Sequence, residues 1–188
     1  MSQGQSSSLS SAAQVPLKSG LLPGWERLNP RLNTAIQEML GALPDAVSHN
    51  ASGQSYFANK WLSPSKLHQE GPPVFREFAA LVEEVIAGVV GEPLKVVSLW
   101  SIVSREGMEG GAHNHAGRVS LAYYVDPGES GPAKGGLMQF YADSESREPS
   151  HTVIPKTGLL IMFPSGLFHS VSRYTGSKPR IVISANLK

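Results

Sequence analysis

Three histidines, an arginine and a serine in the second half of the chain are the residue types from which a metal pocket with an anion seat is built. His113 and His115 stand one residue apart, His169 comes much later, and the final apolar segment opens as Arg180-Ile181-Val182-Ile183-Ser184. On a strand, residues i and i+2 point the same way, so His113 and His115 are placed to grip one ion. A pair of surface histidines on a loop would show the same spacing. His169 follows the apolar run 159–163 and a Pro-Ser-Gly turn, so it supplies a distant third ligand at the head of a strand facing the core. Counting by twos along the last strand puts Arg180, Val182, Ser184 and Asn186 on one face, and Ile181, Ile183, Ala185 and Leu187 on the other. The second face is a core stripe. The first sets an arginine in the interior with no acid in that strand to pair it. A bound carboxylate gripped by the guanidinium, with Ser184 adding a hydrogen bond, would offset the cost of burying the charge. The alternative is an exposed arginine, or one paired with a distant Asp or Glu. Of the adjacent Tyr123 and Tyr124 only one can face this pocket, and Tyr124 is the candidate. Two aromatic core residues would look the same in sequence.

Composition narrows the chemistry. The 188 residues contain no cysteine, so disulfides and thiolate-bound zinc or iron–sulfur clusters are excluded, and a metal must be held by His or carboxylate. A net charge of +1 gives no reason to expect nucleic acid or an anionic membrane as partner. No apolar run approaches the ~20 residues that cross a bilayer. The segment 1–13 lacks the basic start and apolar core of a secretory signal, so a cytoplasmic location is the expectation. Gly 19 and Pro 14 favour many turns and hence many short strands.

The elements that must position these residues follow from periodicity. Residues 1–15 are Ser- and Gln-rich and are expected to form a disordered tail, leaving 16–188 as one domain, helical to about residue 91 and β from 92 onward. Asn29-Pro30 reads as a helix start, with Leu32, Ile36 and Leu40 at helical spacing and an end near Leu43. A second helix runs from Pro73 to about Val90, with Phe75, Phe78, Leu81, Val82, Val85 and Ile86 on one stripe and Gly91 as its stop. After Gly91 the pattern alternates, giving eight short strands: 94–104, 111–115, 119–125, 136–141, 151–154, 159–163, 169–172 and 180–187. This is an α+β arrangement with a jelly-roll or barrel core and helices backing one sheet. Substrate contacts are expected from residues 48–71 and the loops around Arg105, Arg118 and Tyr141, which arch over the pocket.

With these residues in view, the chain resembles the iron(II)/2-oxoglutarate-dependent dioxygenase superfamily, and more narrowly its small bacterial and phage oxygenases with an H-x-H motif. The resemblance spans roughly 94–188, through Leu99-Trp100-Ser101, Gly110 to His115, Ser120 to Val125, Pro155 to Leu160, Phe163-Pro164-Ser165, His169 and Pro179 to Asn186, with a weaker echo at 48–55. It implies a double-stranded β-helix that binds Fe(II) and 2-oxoglutarate and couples oxidative decarboxylation of the keto acid by dioxygen to attack on a substrate C–H bond. By the same resemblance His113 and His169 would be ligands. Arg180, Ser184 and Tyr124 would hold the distal carboxylate of 2-oxoglutarate. The substrate would be a small molecule, amino acid or peptide; the resemblance leaves room for a homodimer.

The chain departs from the superfamily at position 115, where an aspartate or glutamate is usual and His115 stands. His115 can complete a three-histidine site, can sit behind the metal and leave a position open, or can belong to a His115-Ala116-Gly117 motif with Gly117 in the carboxylate place. Ala116 replaces a usual proline and Gly166 a bulky aromatic, and both changes loosen the pocket mouth. A different class also remains, a keto-acid-independent three-histidine dioxygenase of cupin type or a non-catalytic metal-binding jelly roll. Such a protein has no need of Arg180.

Overall fold

The switch from helical to alternating period near Gly91 is a structural boundary. The computed structural model describes residues 15–41, 55–57 and 60–188. The helix α3 (Pro73–Val90) begins with proline at its first position and ends where Gly91 turns left-handed at φ 83°, its amide reaching Ala87 O at 2.8 Å. Its stripe of Val74, Phe75, Phe78, Ala79, Val82, Ile86 and Val90 is buried. Each large side chain so covered stabilises the fold by about 1.5–3 kcal/mol relative to exposure. Leu81 and Val85, placed on the same stripe by sequence, are only partly buried against it.

The first helix starts earlier than its sequence signals suggest. α1 spans Trp25–Gly41, so Asn29 is not its cap and Pro30 lies inside it. Asn29 is buried; its amide donates to Val125 O at 3.0 Å and its carbonyl accepts from the Tyr123 hydroxyl. A polar residue that reads as a cap is here a tie between helix and sheet. The expected helix end near Leu43 lies outside the described residues, as do 1–14 of the expected tail. Val15, assigned to that tail by sequence, is buried in the core.

Eleven strands are described: β1 (Lys18–Leu21), β2 (Ser55–Phe57), β3 (Lys60–Leu62), β4 (Val96–Ser104), β5 (Gly110–His113), β6 (Val119–Asp126), β7 (Met138–Phe140), β8 (His151–Val153), β9 (Leu159–Pro164), β10 (His169–Val171) and β11 (Arg180–Leu187), with a short α2 (Leu67–Glu70). They form two antiparallel sheets, ordered β1-β9-β6-β11-β4-β3-β2 and β5-β10-β7-β8, the two layers of a jelly roll. All eight strands expected from alternation are present, their ends within two residues of those expected. The added three come from the N-terminal part, so helices and strands are interleaved there. β1 is exposed at every position and β2 and β3 have three residues each, too short for any period to show.

The larger sheet has two buried faces, and its alternation sorts them. Leu121, Tyr123, Val125, Ile181, Ile183, Ala185 and Leu187 pack toward α1 and α3. Ala122, Tyr124 and Val182 point the other way, into a second cluster with Met138, Phe140, Ile161 and Phe163 between the sheets. That inner cluster surrounds the site.

Candidate metal centre and anion seat

Pairing of β5 with β10 sets His113 directly opposite His169, which brings two imidazoles together from adjacent strands. Their ring centres are 4.4 Å apart. His115 reaches the same point by a different route from the one its spacing predicts. β5 ends at His113, and the chain leaves the strand before His115, whose amide is held by Ser165 O at 2.8 Å. Its ring centre lies 4.9 Å from His113 and 5.0 Å from His169. One ligand atom from each of the three falls within 4.8 Å of the others, a spread that one ion can bridge.

Hydrogen bonds orient two of these rings. His113 Nδ1 lies 2.8 Å from Gly111 O and His169 Nδ1 lies 2.9 Å from Leu167 O. A carbonyl can only accept, so each Nδ1 carries the proton and each Nε2 keeps its lone pair free for a metal. His169 is only 4% exposed, packed on Phe163 at 4.7 Å between ring centres. Burial pushes its imidazole down to about 4, opposed by the Leu167 carbonyl and reinforced by the other two histidines. Burial, then His113, also lowers His115. Both rings are therefore neutral near pH 7, the form that ligates metal. The motif with Gly117 in a ligand's place does not face this site, because a Cβ at 117 would meet Ser165 Oγ at 3.0 Å and Leu187 O at 3.3 Å.

Arg180 stands on the inner face of β11 at 2% exposure. Its only hydrogen bond among the described residues is a long one, Nη2 donating to the Tyr124 hydroxyl at 3.4 Å, and its Nε has no partner. The guanidinium lies over the Tyr124 ring at 5.2 Å. Burial pushes the Tyr124 phenol up, so it stays protonated, and its O–H is directed at the Met138 sulfur at 3.8 Å, a weak acceptor. A buried guanidinium without an acid and a phenol without a good acceptor are what an incoming carboxylate would satisfy.

Sheet register explains how the rest of the pocket is lined. Directly paired residues share a face, so Lys60, Ser104 and Arg180 form one row, Leu62, Ile102, Val182 and Tyr124 the next, and Trp100, Ser184 and Ala122 a third. All of these except Ser104 line a single cavity of about 190 Å³ together with His113, His115, His169, Met108, Met138 and Phe163. The six residues singled out from sequence, His113, His115, His169, Arg180, Ser184 and Tyr124, thus open on one space. Arg105, Arg118 and Tyr141 do not line it; Arg118 pairs with Glu92, and the Tyr141 hydroxyl meets Ser170 Oγ at 2.8 Å. Lys60, inside the 48–71 segment, and Trp100, present only within the motif Leu99-Trp100-Ser101, were not named as site residues. Trp100 alternates with Ile102 on β4 and could have been found by period two, whereas Lys60 enters through a pairing that no local pattern announces.

Comparison with known proteins gives the same picture. Residues 98–186 match a protein family described as "Putative 2OG-Fe(II) oxygenase". No curated protein matches the chain in sequence. Among solved structures, the non-heme α-ketoglutarate-dependent epimerase SnoN from nogalamycin biosynthesis superposes with a TM-score of 0.69 at 15% identity, over 90% of this chain and 77% of that one. A prolyl hydroxylase from Trichoplax adhaerens, in complex with a hypoxia inducible factor peptide fragment, gives 0.64 at 12% identity, over 92% and 84%. HygX from Streptomyces hygroscopicus, with nickel and 2-oxoglutarate bound, gives 0.63 at 11% identity, over 92% and 82%. These likenesses are of fold.

Proposed function

We propose that the chain is an iron(II)- and 2-oxoglutarate-dependent dioxygenase that hydroxylates a small molecule, amino acid or peptide, a reading supported by the family match over 98–186 and by the shared fold. The observation that carries this reading is one cavity holding both a converging histidine trio and a buried, unpaired guanidinium. His113, His115 and His169 would hold Fe(II), which when bound supplies the oxygen chemistry that couples loss of carbon dioxide from 2-oxoglutarate to oxidation of a substrate C–H bond. The donor set fits such an ion. Nitrogen ligands suit iron, and carbonyl partners fix the tautomers of His113 and His169.

The protein's own contribution is to bind and orient. Arg180 would take the distal carboxylate of 2-oxoglutarate through its guanidinium, and the Tyr124 hydroxyl would turn from the Met138 sulfur to donate to the same oxygens. Ser184 lies four residues along the strand from Arg180, about 13 Å of backbone, in the row of Trp100. It would therefore meet the keto acid away from that carboxylate. Phe163, Val182 and Met138 exclude water between the two ends, which strengthens every charge contact made there.

The test is conversion of 2-oxoglutarate to succinate with consumption of dioxygen, in Fe(II) and ascorbate with a library of amino acids, peptides and small molecules. Slow turnover without substrate and acceleration by one library member are expected. The all-histidine trio favours one rival, a keto-acid-independent metal protein. Iron-loaded protein that makes no succinate above background under any condition would put that rival ahead.

A further inference from the structure

With the distal carboxylate of the keto acid given to Arg180, a second cation in the cavity is left without a task. Lys60 on β3 and Arg180 on β11 both pair with Ser104 on the strand between them, so the two long side chains rise from one row and line the same cavity. An acid at the middle position would have neutralised both. The residue there is Ser104, fully buried, its hydroxyl without a partner. No Asp or Glu lines the cavity, and neither Lys60 nor Arg180 forms an ion pair among the described residues. Burial, and then the Arg180 charge, hold the Lys60 ammonium below its usual range. Two like charges in one row, with no acid between them, point to anions that arrive as ligands.

Charge and depth together say which anions. Arg180 and Lys60 contribute one positive charge each and a divalent ion two, whereas 2-oxoglutarate returns only two negative charges. Three neutral imidazoles add none where a carboxylate ligand is usual. Arg180 is 2% exposed, while Lys60 is only partly buried, so the row runs from the cavity floor to its rim. The keto acid, held at Arg180, occupies the buried end of this cavity. The more exposed end of the row, at Lys60, is left for a further ligand. We propose that Lys60 is the docking point for a carboxylate carried by the substrate, which makes the substrate class a carboxylic acid. With Arg180 taken by the keto acid, the rim offers the Lys60 ammonium alone, one charge against the single charge of a carboxylate, whereas a phosphate group carries about two. This inference rests on the reading of the keto-acid seat given above.

The experiment uses Mn(II) in place of Fe(II), so that ligands bind without turnover. Calorimetric titration of 2-oxoglutarate should give Lys60→Gln an affinity within about threefold of wild type, against a loss of ~10–100-fold for Arg180→Ala. In wild type saturated with Mn(II) and 2-oxoglutarate, Lys60 should still react with acetic anhydride, as read by mass spectrometry. A millimolar panel of N-acetyl amino acids should then contain members that slow this labelling at least about threefold, while their carboxamides do not. If Lys60→Gln loses 2-oxoglutarate as Arg180→Ala does, or 2-oxoglutarate alone protects Lys60, the lysine belongs to the keto-acid seat and the inference is wrong. Equal protection by acids and amides, or none by either, also overturns it. Wild type that binds no 2-oxoglutarate overturns the functional reading as well, so the two failures are distinguishable.

Discussion

At the scale of single residues, the site depends on groups that lack partners inside the protein. The three imidazoles present Nε2 or an unbonded ring nitrogen to a common point, and removing one should leave the other two aimed but insufficient. His115→Ala is therefore expected to weaken Mn(II) or Fe(II) binding at least about tenfold, measured by calorimetry or by the EPR signal of free Mn(II). Unchanged affinity would show that His115 stands beside the metal rather than on it. Arg180 makes the complementary case. Its Nε has no partner and its bond to Tyr124 is long, so Arg180→Ala should cost 2-oxoglutarate about 1.5–3 kcal/mol of binding, or ~10–100-fold in Kd. Equal affinities for wild type and variant would place the anion elsewhere.

At the scale of elements, β11 joins the core to the site, because its two faces do different work. One face carries Arg180, Val182 and Ser184 into the cavity, and the other buries Ile181, Ile183, Ala185 and Leu187 against the helical layer. It pairs with β4 on one side and β6 on the other, so it also fixes where Trp100 and Tyr124 stand. A cavity behind it should cost stability before it touches chemistry. Ile183→Ala, at a position with no exposure, is expected to destabilise the protein by about 2–5 kcal/mol in urea unfolding. Its affinity for 2-oxoglutarate should stay near wild type at temperatures where it is folded. A loss of affinity as large as that of Arg180→Ala would mean that the strand's position depends on the outer packing.

At the scale of the whole molecule, burial of the histidines makes stability depend on pH. An unfolded His169 takes up its proton near pH 6.5, and the folded one near 4. Between those values the unfolded chain binds more protons, so stability must rise with pH across that window. The contribution is fully present above about 6.5 and lost as pH falls to about 4. Its size is roughly 3 kcal/mol at 1.36 kcal/mol per pKa unit. His115, lowered for the same reason, adds in the same direction. Metal-free protein unfolded in urea at pH 7, 5.5 and 4.5 should show this decline, and a His169→Gln variant should show a shallower one. A decline as steep in the variant would assign the effect to other groups.

Much of this was legible in the amino-acid order. Period two placed Arg180 and Ser184 on a face opposite Ile181 and Ile183, because a strand forces alternate side chains apart, and the 3.6 period with Gly91 bounded α3, because a helix with one apolar stripe needs a left-handed stop. The choice of Tyr124 over Tyr123 follows from the same alternation once the faces are known. Other features depended on contacts distant in sequence. Asn29 looked like a cap because capping is local, yet its partners Tyr123 and Val125 are more than ninety residues away. His115 has the spacing of a strand pair, but it reaches the other histidines through a loop tied to Ser165. Lys60 sits in a three-residue strand, too short to show a period, and only its pairing with Ser104 brings it beside Arg180. Residue types and local periods set which side chains were available for a metal and an anion, since those depend on neighbours in the chain. Which of them share one cavity was decided by strand register, since a shift of one residue turns every side chain to the other face, and for His115 by the loop tied to Ser165.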